Sequence, residues 1–303
     1  MNQPYPQDAP VPVDAPEPPQ RGATGRVLAA AGVALALVAI VLGALFLTDL
    51  MMSETRTTHR SYDAVDTVEL VADGDVTVTA AEGDIEVDAI AHSGLREPTY
   101  SADESASRLE LTHRCGWFIA LPRCSGGLDV ALPAGTEVVI RTENGDVVAT
   151  GLAGDLSVDT ANGDVETTGL AGPLDARSSN GDIEISDSGA DVDASTSNGE
   201  ISVASVDGTV TADSSNGEIT IEAVTGDASA HSSNGSIEIS AVDGDVSGVT
   251  SNGEVTVVGD GEPVALTIDT SNGDQVIEGS TDPDAERTVE IRSSNGDVAY
   301  LDR

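Results

Sequence analysis

The sequence predicts an all-β fold: a parallel β-solenoid (β-helix-like) of 18-residue coils, preceded by one transmembrane α-helix. Three observations carry that prediction. Asn-Gly recurs at Asn144, Asn162, Asn180, Asn198, Asn216, Asn234 and Asn252 at a constant step of 18 residues, then at Asn272 and Asn295 after steps of 20 and 23. Between these pairs apolar and polar residues alternate, the period of a strand with one buried face. One run, Val27–Leu47, stays apolar for 21 residues, enough at ~1.5 Å per residue to cross a hydrocarbon core about 30 Å thick.

Composition narrows the function. The 303 residues carry 13 Lys+Arg, none of them lysine, against 53 Asp+Glu, for a formal charge of −40. Nucleic-acid binding is excluded, because counterion release needs a basic face and this chain offers carboxylates. With 39% hydrophobic residues in regular spacing the chain is not an acidic disordered tail, and with 2% aromatics it cannot fill an ordinary globular core. The acidity suits adaptation to high salt, and a GC-rich genome would equally favour Arg and Ala; composition leaves both readings open.

Taken in order, residues 1–26 form a Pro-rich tail expected to be disordered, since it lacks apolar periodicity. Residues 27–50 are the transmembrane helix. A cleaved signal peptide is the competing reading, but the run exceeds the usual apolar region of about 7–15 residues and no A-x-A-like site follows. Arg26 abuts the helix and Asp49 stands at its far end, which favours the tail inside and the rest outside the cell membrane. Residues 51–63 read as a linker. Residues 64–141 read as a strand-rich N-terminal cap, with short alternating runs at Thr67–Val71, Asp75–Val78, Asp84–Ala89, Arg108–Thr112, Leu128–Leu132 and Glu137–Ile140. Within the cap, Cys115 and Cys124 are close enough in sequence for a structural disulfide closing a loop around Trp117 and Phe118, which an oxidising compartment allows. A metal or redox pair fits less well, because the spacing is not C-x-x-C and no second pair completes a zinc site.

Residues 142–303 hold the repeats, approximately S-S-N-G-D/E-I-x-I-x-x-V-x-G-x-V-x-A-x. Each copy supplies two short strands. A second turn is marked by Gly154, Gly172, Gly208, Gly226 and Gly244, and Asn and Gly are expected to supply φ > 0 at both corners. Stacked in register, Val165, Ile183, Ile201, Ile219, Ile237 and Val255 form one inner ladder, and Ile185, Val203, Ile221 and Ile239 a second. An antiparallel meander of Asn-Gly hairpins is the rival; it would leave an apolar face uncovered, whereas a coil closes its two faces on each other. One coil cannot fold alone, so the cap closes one end and Val298–Leu301 is expected to close the other.

The residues after Asn-Gly stack carboxylates, among them Asp146, Asp164, Asp182, Glu200 and Glu218, about 4.8 Å apart. The row reads as a solvated edge or, less favoured, as weak calcium sites; the glycine doublet of calcium-binding nonapeptide repeats is missing and Ser236 interrupts the series. No other cofactor is implied. The histidines are scattered and no nucleotide or zinc-protease motif occurs, so the chain is not expected to be an enzyme.

The runs Thr142–Val147, Ser178–Ile183, Thr196–Ile201, Ser214–Ile219 and Ser293–Val298, with the preceding stretch LDVALPAGTEVVIRTENGDV from Leu128 to Val147, resemble a prokaryotic family of β-strand repeat domains of unknown function called putative adhesins. The resemblance covers Ala64 to the C-terminus. It implies a β-solenoid-like domain at the cell envelope behind a single membrane span, and carries over no catalytic or binding residue. Two functions follow as expectations: a membrane-anchored adhesive or binding module for an envelope or surface ligand, or a structural or regulatory component of envelope-stress signalling.

Overall fold

The computed structural model describes residues 23–51, 53–94, 96–116 and 124–302. The chain divides into two compact units, Met1–Thr48 and Asp49–Arg303. The helix Ala23–Met51 dominates the first and starts one turn before the apolar run, so it takes in the end of the expected tail. The rest of that tail lies outside the described residues. Within the helix, Ala31–Thr48 has a mean hydropathy of 2.6 and is long and apolar enough to cross a membrane.

The second unit is two sheets of 13 and 12 strands. Eleven strands of each sheet run parallel and link across to the other, making eleven coils. The additional strands, Glu54–Tyr62, Ile85–Ser93 and Thr99–Glu104, are antiparallel and gather at one end. Partners in the middle coils are one repeat apart, as Leu174 beside Val192 and Ile183 beside Ile201. Both expected ladders form, and their side chains are buried. The fold is a parallel β-solenoid, and hairpin pairing of successive repeats is ruled out.

Packing between the sheets sets large side chains against small. The second sheet's inner row is Ala176, Ala194, Ala212, Ala230 and Gly248. A β-carbon on Gly248 would press on Val255 and approach Ile239 and Ile237 of the first sheet. In these middle coils isoleucines interleaved with alanines fill a thin interior, large side chains set against small as close packing requires.

Three expectations need correction. The first concerns the corners, where neither the Asn nor the Gly of the repeats adopts positive φ. Glycine is needed there for close approach: a β-carbon on Gly181 would overlap the carbonyl oxygen of Gly163 in the coil beneath, and Gly226 stands likewise over Gly208. The left-handed corner residues lie elsewhere, at Gly151 (φ 74°), Gly169 (69°), Asp187 (55°), Ser205 (60°), Ala223 (58°) and Ala241 (54°).

The second concerns residues 51–63, expected as a linker, which contain the strand Glu54–Tyr62 paired with Ile85–Ser93. This strand is exposed along nearly its whole length, so no apolar period betrays it; backbone pairing and its threonines hold it.

The third concerns the ends, which are not closed in chain order. At the N-terminal end the coil of Arg108–Arg114 and Cys124–Pro133 lies outside that of Thr67–Ala72 and Val76–Ala81, which rests on Glu137–Thr142 and Val147–Thr150. At the other end Val298–Leu301 is not outermost. The strands Thr288–Ser293 and Val298–Asp302 slot between Val246–Thr250 with Val255–Gly259 on one side and Ala265–Thr270 with Gln275–Ile277 on the other. The insertions at Asp260–Pro263 and Asp282–Glu286 supply the chain that steps out over one coil and back.

Candidate interaction surfaces

The Asn-Gly corner is the most repetitive surface. Every Asn amide after Asn144 donates twice into the neighbouring coil, as Asn180 Nδ2 does to Ala161 O (3.0 Å) and to Asn162 Oδ1 (2.9 Å). Eight Asn-to-Asn bonds run unbroken from Asn144 to Asn252, then to Asn295 and finally Asn272. The ladder follows the spatial order of the coils. Two residues before each Asn stands a Ser or Thr whose hydroxyl fastens the same corner: Ser178 Oγ donates to Gly163 O (3.1 Å) and accepts from Gly181 N (2.8 Å). These buried hydroxyls escaped the sequence reading, although Ser or Thr at that place in all nine copies was a usable signal.

The acidic row beside this corner is also engaged. Asp146, Asp164 and Asp182 each accept, through Oδ1, the backbone N–H of the next acidic residue, at 3.0, 2.9 and 2.8 Å. Glu200 and Glu218 make no such cap among the described residues. A charge-assisted bond contributes about 1.5–3 kcal/mol, whereas neighbouring carboxylates repel by about 1 kcal/mol in a water-like dielectric. The capping bond therefore outweighs the repulsion in the Asp copies. Among the described residues no three His, Cys, Asp or Glu side chains gather into a group that could hold a metal ion.

On the outer faces, register places like positions in rows, such as Ser157, Asp175, Asp193 and Thr211 on the second sheet and Glu166, Glu184, Ser202 and Thr220 on the first. From Ser178 to Glu286 there are 23 Asp and Glu and no Lys or Arg. Basic groups concentrate near the antiparallel end. There Arg108 and Arg141 both pair with the buried Glu69, and His59 bonds Asp88 through Nδ1 (2.8 Å) and Glu86 through Nε2 (2.8 Å). The hydrogen bond to Asp88, reinforced by both carboxylate charges, raises the His59 pKa above its ordinary 6.5. Burial, then the charge of Asp88, raises that of Asp129.

Cys115 and Cys124 are disulfide-bonded, Cα atoms 6.0 Å apart, across the corner of the outermost N-terminal coil. The Asp73 carboxylate ties that corner to the next coil, accepting from Cys115 N (2.7 Å) and Gly126 N (2.7 Å). Trp117 and Phe118 lie outside the described residues. Tyr62 and Tyr100 bond across the two sheets (2.6 Å), with His113 edge-on to Tyr100 at 5.8 Å.

A coil of two strands stacked on its own image, entered through an antiparallel end, matches a known family model. The model, described as Toastrack DUF4097, aligns with residues 61–229, more than half of the chain. The chain belongs to the Toastrack DUF4097 family. Comparison with curated proteins finds no match. Solved structures similar to this Toastrack chain include a putative adhesin from Parabacteroides merdae, 13% identical over 82% of this chain and 96% of that one (TM-score 0.37). Another is a putative adhesin from Bacteroides fragilis, 12% identical over 82% and 97% (TM-score 0.33). A third is a putative lipid binding protein from Parabacteroides distasonis, 12% identical over 81% and 96% (TM-score 0.37).

Proposed function

We propose that this Toastrack chain is a non-catalytic binding module of the cell envelope. In this reading residues 1–26 lie inside, 27–50 span the membrane, and the solenoid with its antiparallel end stands outside. The observation that carries it is the outer-face register: one side-chain position recurs coil after coil at strand spacing, about 4.8 Å. Such rows of short polar and acidic side chains suit many weak, similar contacts that add up through multivalency. Loss of attachment on deletion, with binding of the full chain to a surface glycan or protein on an array, is the expected result. If deletion leaves attachment intact and instead mis-sets the envelope-stress response, the module is a signalling component.

The carboxylates at Asp146, Asp164 and Asp182 serve this module as caps on the backbone, and calcium is not required. Melting of the outer unit is expected to be the same in calcium and in chelator at fixed ionic strength. A calcium-dependent rise would reinstate the row through Glu200 and Glu218 as cation sites.

A further inference from the structure

Every Asn-Gly pair has a latent reaction. The glycine nitrogen attacks the Asn side-chain carbonyl carbon, forming an N–Cγ bond. The Cγ–Nδ2 bond breaks, ammonia departs with the glycine proton, and water opens the resulting cyclic imide to aspartate or isoaspartate. The attack needs a free glycine nitrogen and a corner able to turn, so a packed corner reacts only through local opening.

Eight of the nine pairs are covered. The glycines from Gly145 to Gly253 are buried, and Gly296 is partly buried beneath Gly273. In six of them, Gly145 to Gly235, the nitrogen also donates to the Ser or Thr hydroxyl three residues before. Gly273 is exposed. It sits over Gly296 in the outermost coil, with no coil above it among the described residues. Its N–H has no hydrogen-bond partner among the described residues, and the ladder ends at Asn272, whose Oδ1 receives no further amide. Local sequence does not distinguish it: Ser271, Gly273 and Asp274 flank Asn272 just as Ser179, Gly181 and Asp182 flank Asn180.

We propose that Asn272–Gly273 is a site of spontaneous deamidation, the single reactive corner in a series of nine. The product carboxylate can no longer donate to Asn295 Oδ1 or Ser294 O, bonds now 3.0 and 3.2 Å long. Isoaspartate would also lengthen the backbone ahead of Gln275–Ile277 and shift its alternation. The outermost coil thus carries a chemical timer.

The test is peptide mapping by mass spectrometry with isoaspartate detection, on the full chain in detergent aged at mildly alkaline pH. Asn272 should convert about tenfold or more faster than any interior pair, and in urea the nine rates should converge. Equal rates in the folded protein would overturn the proposal; so would the same ranking in urea, which would assign selectivity to sequence. In Asn272→Gln the early product should vanish and the interior rates stay as they were. An early product of unchanged yield at another Asn would place the reactive corner elsewhere and overturn the assignment.

Discussion

The two ends of the solenoid solve one problem in opposite ways. At the N-terminal end antiparallel strands fold over the open sheets, Tyr62 and Tyr100 bridge them, a disulfide ties the outer corner, and two arginines neutralise Glu69. At the C-terminal end no added strand among the described residues covers the last coil. Val276 and Ile277 there are 41% and 50% exposed, while Tyr300, one coil in, is fully buried. Added strands reinforce the first end, whereas the second relies on chain order and on ties such as Arg287 to Asp260 and Ser280 to Asp302. A stack whose coils touch only their neighbours needs each terminus dealt with separately.

The sharpest test uses one ladder. Ile221, Ile239, Val257, Tyr300 and Ile277 occupy the same position in successive coils. Ile221→Ala, at a buried site, should cost about 2–5 kcal/mol in chemical denaturation. Ile277→Ala should cost under about 0.5 kcal/mol, as at other exposed sites. Equal losses would mean that the outer coil is covered.

Replacing Cys115 and Cys124 by Ser frees a short loop, a loss of about 2–3 kcal/mol. Hydrogen exchange should show that loss in the N-terminal coils and leave Ala265–Ile277 unchanged. The same method separates the partners of Glu69. Arg141→Ala leaves a buried carboxylate with one cation fewer and should cost about 1–3 kcal/mol, whereas Glu69→Ala removes the buried charge itself and should cost less. The reverse order would show that the arginines are the groups that need pairing.

The smallest effect is one of pH. Because His59 is raised above 6.5 in the fold, its contribution is complete below the unfolded value and is lost as pH rises through the folded one. Asp129, raised by burial, acts in the same direction at lower pH. Protection of Glu54–Tyr62 amides, taken relative to their intrinsic exchange at each pH, should therefore be greater at pH 6 than at pH 8, and His59→Gln should erase the difference without moving the middle coils.

The middle coils were legible because identical residues recur at identical steps, and stacking converts that recurrence into register. The strand Glu54–Tyr62 was not legible, since it buries no face, and alternation reports burial rather than backbone pairing. The displaced terminal coil was hidden for another reason: steps of 20 and 23 reveal insertions but not which coil lies outside. At the corners Asn-Gly was read for its torsional freedom, whereas the structure uses the amide as a ladder and the glycine for contact. The left-handed position passes through Gly, Asp, Ser and Ala, so residue type could not mark it.

The crossed order of the last two coils bears on traction. The final strand, Val298–Asp302, is gripped by Val255–Gly259 on one flank and by Gln275–Ile277 on the other. A tug applied beyond Asp302 therefore meets a clamped strand with a neighbour along each edge.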